Sequence, residues 1–131
     1  MGVSEEKQKM QIRNLFNDAA PPSDGERFES FLEIRNLVIE RIVSSSKIEH
    51  TEYVQLHDEW VALLQGRALL VVEGETLTLG AGDSLFLPAG TPHTVQSASD
   101  GAVWLAIHLH EQAKDVSFPH SCKQEEVTET R

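Results

Sequence analysis

The stretch GDSLFLPAGTPH, Gly82 to His93, decides how the rest of the chain is read. Gly82-Asp83 opens a turn, Leu85–Leu87 make a short apolar strand, and Pro88-Ala89-Gly90 ends it. Strand and turn together carry one histidine, His93, to a fixed place. A histidine aimed by a rigid strand is what a metal site or a proton-transfer site requires.

Outward from this stretch the chain reads as strand after strand. Period-two alternation over 37–43 sets Leu37, Ile39, Arg41 and Val43 on one face and Val38, Glu40 and Ile42 on the other. Tyr53–Leu56 is a short strand, and Glu59–Leu64 ends at Gln65-Gly66. Arg67–Glu73 turns at Gly74-Glu75 into Thr76–Leu79, a hairpin pattern. Thr94–Ser97 and Ala102–His110 complete the set. Many short strands punctuated by Gly, Asp and Pro predict an all-β sandwich or small barrel. Upstream, Ile12–Phe16 reads as a short first strand, and Phe28, Phe31 and Leu32 fall at helical spacing within Glu26–Glu33, which predicts a helical turn. The predicted organisation is an N-terminal extension over residues 1–33, a barrel over 34–110 and a flexible polar tail over 111–131.

With 131 residues the chain has room for one domain with a real core. A formal net charge of −10 argues against nucleic acid and anionic membrane as partners. The single cysteine, Cys122, permits no intrachain disulfide and fits a reducing cytoplasm. The first residues, MGVSEEKQKMQ, carry no apolar stretch of signal-peptide type, and the longest apolar runs, Trp60–Leu64 and Ala68–Val72, fall far below membrane-spanning length.

The spacing Gly82, Pro88, Gly90, His93 resembles the second motif of the cupin superfamily, small jelly-roll β-barrels that often hold a metal. The first motif of that family offers two histidines one residue apart, then a glutamate, then a glycine six residues later. Glu59 and Gly66 keep the last spacing in EWVALLQG, while Tyr53 and Gln55 stand where the histidine pair would be. The strings ERIVS (Glu40–Ser44), HDEWVALLQG (His57–Gly66) and WLAIH (Trp104–His108) are similar to a subgroup of small single-domain cupins. The resemblance implies a jelly-roll barrel with a site at its centre, a small-molecule ligand and a homodimer paired through exposed strands, the N-terminal strand being a candidate for exchange.

It also implies a divalent centre for Fe, Mn, Ni or Zn, built from three imidazoles and one carboxylate. Residue by residue, Glu59 and His93 are the matched ligands and Gln55 a weak neutral one. His57 in the turn, or His108 on the last strand, is the candidate second imidazole. Tyr53 and His57 are the candidates for moving a proton. Each histidine also has a plainer role as a hydrogen-bonded or solvated residue. The functional expectation is a small-molecule-binding barrel with a divalent-metal centre and an unassigned reaction. The alternative is a metal-dependent oxygenase or isomerase acting on a small organic acid or polyol. A metal-free epimerase-like use, with His93 as base and Tyr53 as acid, ranks last because only Arg41 and Arg67 lie in the strand region to hold a nucleotide diphosphate.

Overall fold

A computed structural model describes residues 10–111. The amino-terminal residues 1–9 and the tail from residue 112 onward, with Cys122, lie outside them. Eight strands follow in order: β1 (Glu26–Ile34), β2 (Leu37–Ser44), β3 (Asp58–Gln65), β4 (Arg67–Val72), β5 (Glu75–Gly80), β6 (Ser84–Leu87), β7 (His93–Ala98) and β8 (Ala102–Leu109). They form a five-stranded sheet, β1-β2-β8-β3-β6, and a three-stranded sheet, β5-β4-β7. All pairings are antiparallel. The expected all-β jelly-roll barrel is the fold this chain adopts. Among the described residues no helix is long and apolar enough to cross a membrane.

Period-two patterning explains which residues go inside. On β8, Trp104, Ala106 and His108 share one face, and all three are buried. Val61 and Leu63 of β3, Leu70 of β4, Leu79 of β5 and Leu87 of β6 meet Trp104 and Ala106 in one cluster that spans both sheets. The core therefore fills one half of the barrel, and the polar residues of the same inward faces gather in the other.

The Glu26–Glu33 segment departs from its expectation. It is strand β1, paired antiparallel with β2 except for a register shift at Phe31, not a helical turn. A spacing of three puts Phe28 and Phe31 on opposite faces of a strand, and here both faces are covered. Phe28 lines the interior. Phe31 lies under two guanidinium groups, Arg13 at 3.7 Å and Arg41 at 5.1 Å from its ring centroid. The cover comes from the segment expected to be a first strand, Ile12–Phe16, which instead turns: Asn14 Oδ1 accepts from the Phe16 amide at 2.8 Å, and the Asn14 carbonyl accepts from the Asn17 amide. Arg41 holds this turn down by donating to the carbonyls of Leu15, Asn17 and Asp18 while pairing with Glu29. Residues 53–56 likewise contribute no strand, only a single bridge between Tyr53 and His93.

Gly66, the last residue of the first sequence motif, has a geometric job. Its φ is +96°, and a Cβ there would sit 2.5 Å from Ser99 Oγ and 3.1 Å from Ala102. Ser99 cannot simply withdraw, because its Oγ accepts from the Arg67 amide at 3.0 Å and its own amide donates to the Arg67 carbonyl. The close approach pins the β3–β4 turn to the β7–β8 turn. Gly66→Ala is expected to cost about 2–3 kcal/mol in urea denaturation, against about 1 kcal/mol for Gly74→Ala, where φ is also positive but the space is open. Equal costs would show that the contact with Ser99 contributes nothing.

Candidate functional site

Four stretches of the chain converge on the polar half of the barrel. The first is the segment before β3, which carries Tyr53 and Gln55. It is stapled to the start of β7 by reciprocal backbone bonds between Tyr53 and His93, at 2.8 and 3.0 Å, and by the Gly90 amide donating to the Gln55 carbonyl. The second is the motif turn itself, fixed by the Ala89 amide donating to Asp58 Oδ1 at 2.9 Å. The turn delivers His93 as the first residue of β7, where its Nδ1 donates to the Thr91 carbonyl at 3.0 Å. That bond leaves Nε2 facing inward, 3.9 Å from Glu59 Oε1. The Tyr53 and His93 rings stack at 5.8 Å.

The third and fourth contributions come from register. On β8, His108 stands opposite Glu59 of β3 and Val38 of β2, with Glu40 of β2 one inward position along. The His108 Nε2–H donates to Glu40 Oε1 at 3.0 Å, and on its other side Nδ1 lies 2.8 Å from His57 Nε2. The His57 ring also packs against His110, with centroids 4.3 Å apart. From β1, Glu26 accepts at Oε2 from Ser44 Oγ–H at 2.6 Å, and Ser44 Oγ in turn accepts from Trp104 Nε1–H at 3.0 Å.

The result is an open cavity with about 590 Å³ of empty space, part of it solvent at the mouth. Its apolar wall includes Phe28, Ile42, Val61, Leu70, Leu87, Val95 and Trp104. Tyr53, Gln55, Glu59, His93 and His108, five of the sequence candidates, line it together. The sixth, His57, does not: it stands behind His108. Two lining residues, Glu26 and Glu40, were not singled out from sequence. Glu40 had left a signal, a carboxylate between Val38 and Ile42 on one strand face. Glu26 had left none, because β1 read as helical.

The donor set does not fit a centre of three imidazoles and one carboxylate. His93 alone presents a ring nitrogen next to Glu59. Both nitrogens of His108 are engaged, and His57 Nε2 is turned to His108 rather than to the cavity. The described residues contain no group of three or more His, Cys, Asp or Glu arranged to hold a metal ion.

Burial pushes the Glu26 carboxyl above the usual carboxylate range. The Ser44 hydrogen bond opposes the shift, and the like charges of Glu40 and Glu59 add to it. A carboxyl raised in the folded state contributes stability that is fully present below its unfolded value, 4.5, and is lost as pH rises through the raised one. Glu26→Gln removes that loss, so the variant is expected to gain stability relative to the parent as pH rises from acid to neutral. Thermal melts across that range check it, and a pH-independent difference would contradict the assignment.

The family described as "Cupin domain" matches residues 46–112 of this chain. An uncharacterised protein of Aquifex aeolicus (strain VF5) is 35% identical over 65 residues, covering 50% of this chain and 52% of that protein, so the chain spans about half the length of the curated relative it matches. A solved structure from Ralstonia eutropha JMP134, provisionally named a mannose-6-phosphate isomerase, superposes with a TM-score of 0.69 at 34% identity. The match covers 77% of this chain and 99% of that one. An RmlC-like cupin protein from Desulfovibrio desulfuricans has the same fold, with a TM-score of 0.67 at 20% identity over 77% of this chain and 97% of that one.

Proposed function

The chain belongs to the cupin family, and within that fold we propose that it is a small-molecule-binding barrel whose ligand occupies the cavity beside Gln55, Glu59 and His93. One observation carries the reading. Gln55 and Glu59 are each only 6% exposed and line the cavity, yet neither side chain has a hydrogen bond among the described residues. Neither residue is among those whose side-chain polar atoms are sealed off without a partner, so the amide and the carboxylate open onto the cavity with their hydrogen-bonding capacity available there. A ligand with polar atoms at that end and a carbon face against Trp104 and Leu70 would use it. Tyr53, stacked on His93 at the same end, offers a hydroxyl. A cytoplasmic location belongs to this reading, supported by the single cysteine.

The second reading is a metal-dependent oxygenase or isomerase acting on a small organic acid or polyol. Two observations favour it: the tether from His93 Nδ1 to a backbone carbonyl, an arrangement typical of metal-bound histidines, and the likeness to the Ralstonia protein. It ranks below the first because it lacks a second nitrogen donor. The discriminating experiment is metal content by plasma mass spectrometry on protein purified without chelators, beside Glu59→Ala and His93→Ala. The expected result is metal well below one ion per chain, with a melting temperature unmoved by EDTA. Near-stoichiometric iron, manganese, nickel or zinc, lost in both variants, would replace the first reading with the second.

The homodimer is part of the same proposal. Strand β6 is a sheet edge, and its Phe86 and the cross-strand partner Trp60 on β3 are 55% and 38% exposed. Light scattering is expected to give twice the mass of the chain, and Phe86→Ser to shift it toward the monomer. A monomeric parent would remove this part of the reading.

A further inference from the structure

The lining of the cavity has a sign. Glu26, Glu40 and Glu59 face it, and among the described residues no lysine or arginine lines it. The arginines of the strands are committed elsewhere, Arg27 of β1 donating to the Asp18 carbonyl. Arg41 is turned to the outer face, where Glu29 and three backbone carbonyls take up its guanidinium. Arg67 is exposed at the start of β4. A phosphate or carboxylate entering this cavity would lose hydration and meet like charge, with no cation to offset either loss.

The hydrogen-bonding inventory narrows the choice further. Glu59 only accepts. His93 has spent its Nδ1 proton on the Thr91 carbonyl, so in the neutral ring Nε2 accepts as well. Gln55 contributes both an acceptor and an NH₂ donor. An ammonium group donates only and would leave the Gln55 NH₂ unanswered. An anionic oxygen accepts only and would leave Glu59 unanswered. A hydroxyl group does both. The 3.9 Å between His93 Nε2 and Glu59 Oε1 is too long for a direct bond, and since both accept, one hydroxyl can donate to only one of them, whereas two neighbouring hydroxyls of a polyol donate one to each and keep oxygens to accept from the Gln55 NH₂. The apolar lining, with Leu87 and Trp104 on the same sheet as Glu59 and Leu70 on the other, suits the carbon face of a small ring or chain.

We propose that the cavity selects an uncharged polyhydroxylated compound, a neutral sugar or sugar alcohol, and discriminates against its phosphorylated and carboxylated counterparts. The proposal rests on the reading of this cavity as the binding site and adds the class of ligand.

The test is calorimetric titration of the full chain at neutral pH, in buffer containing EDTA. The panel holds neutral hexoses, pentoses and their alditols, the matching phosphate monoesters and aldonic acids, and glucosamine as the cationic member. At least one neutral compound is expected to bind at least tenfold more tightly than its phosphate or acid. Glu59→Gln, checked for folding by circular dichroism, is expected to narrow that ratio by improving the anionic member, and Gln55→Leu to weaken the neutral one. Anionic members binding as tightly as the neutral ones, with binding lost in Gln55→Leu, would overturn the ligand class and leave the binding site standing. Glucosamine binding more tightly than the neutral hexoses would do the same in favour of a cation. A panel in which nothing binds would overturn the reading of the cavity as well.

Discussion

Strand β8 lies between β2 and β3, and the polar interior takes its arrangement from that pairing. Side chains on adjacent strands are neighbours only when their residues stand in register, and a slip of one residue would turn an inward face outward. Here the register sets His108 opposite Glu59 on one side and one inward position from Glu40 on the other. The next inward positions of β8, Ala106 and Trp104, face the apolar cluster. One strand therefore divides the barrel into a packed half and a polar half. The alternation of Trp104, Ala106 and His108 is the line of division.

That division puts three carboxylates next to one cavity, and each is handled differently. Glu40 is answered by a histidine that is itself held by a second histidine, so its charge spreads over a chain of hydrogen bonds inside the sheet. Glu26 is answered more weakly, by one hydroxyl that leans on an indole, and its carboxyl is accordingly displaced upward. Glu59 has, among the described residues, the distant imidazole of His93. Glu59, the least answered of the three, is on β3 next to β6 and the motif turn.

The histidines show why a motif's residues and a motif's chemistry come apart. His57 and His108 supply the nitrogens that a degenerate metal centre would need, and by count they make up for the Tyr53 and Gln55 substitutions. Geometry commits them to each other and to Glu40, which removes three of their four nitrogens from the cavity side. Gln55, a poor ligand by chemistry, keeps its place beside Glu59. The site thereby reads as a set of hydrogen-bonding groups, with a carboxylate, an amide and an imidazole lining one cavity.

Much of this was legible in the chain itself. The turn residues Gly82-Asp83 and Pro88-Ala89-Gly90, the alternation over β2 and the motif spacing from Glu59 to Gly66 are local signals, governed by backbone conformations that a residue brings with it wherever it is placed. They determined an all-β sandwich or small barrel, and the resemblance to the cupin motifs implied that Gln55, Glu59, His93 and Tyr53 lie near one another. Strand β1 was not legible, since Phe28 and Phe31 point to opposite faces and their spacing imitates a helix until Arg41 and the Asn14 turn cover the outer one. Nor was the role of any histidine but His93. Whether His57 faces a cavity or His108, and whether Glu26 enters the interior at all, depends on pairing between residues 51 and 18 positions apart in the chain. Only the closed barrel brings those residues within hydrogen-bonding distance, because side-chain partners in a sheet are set by strand order and register, which no local pattern encodes.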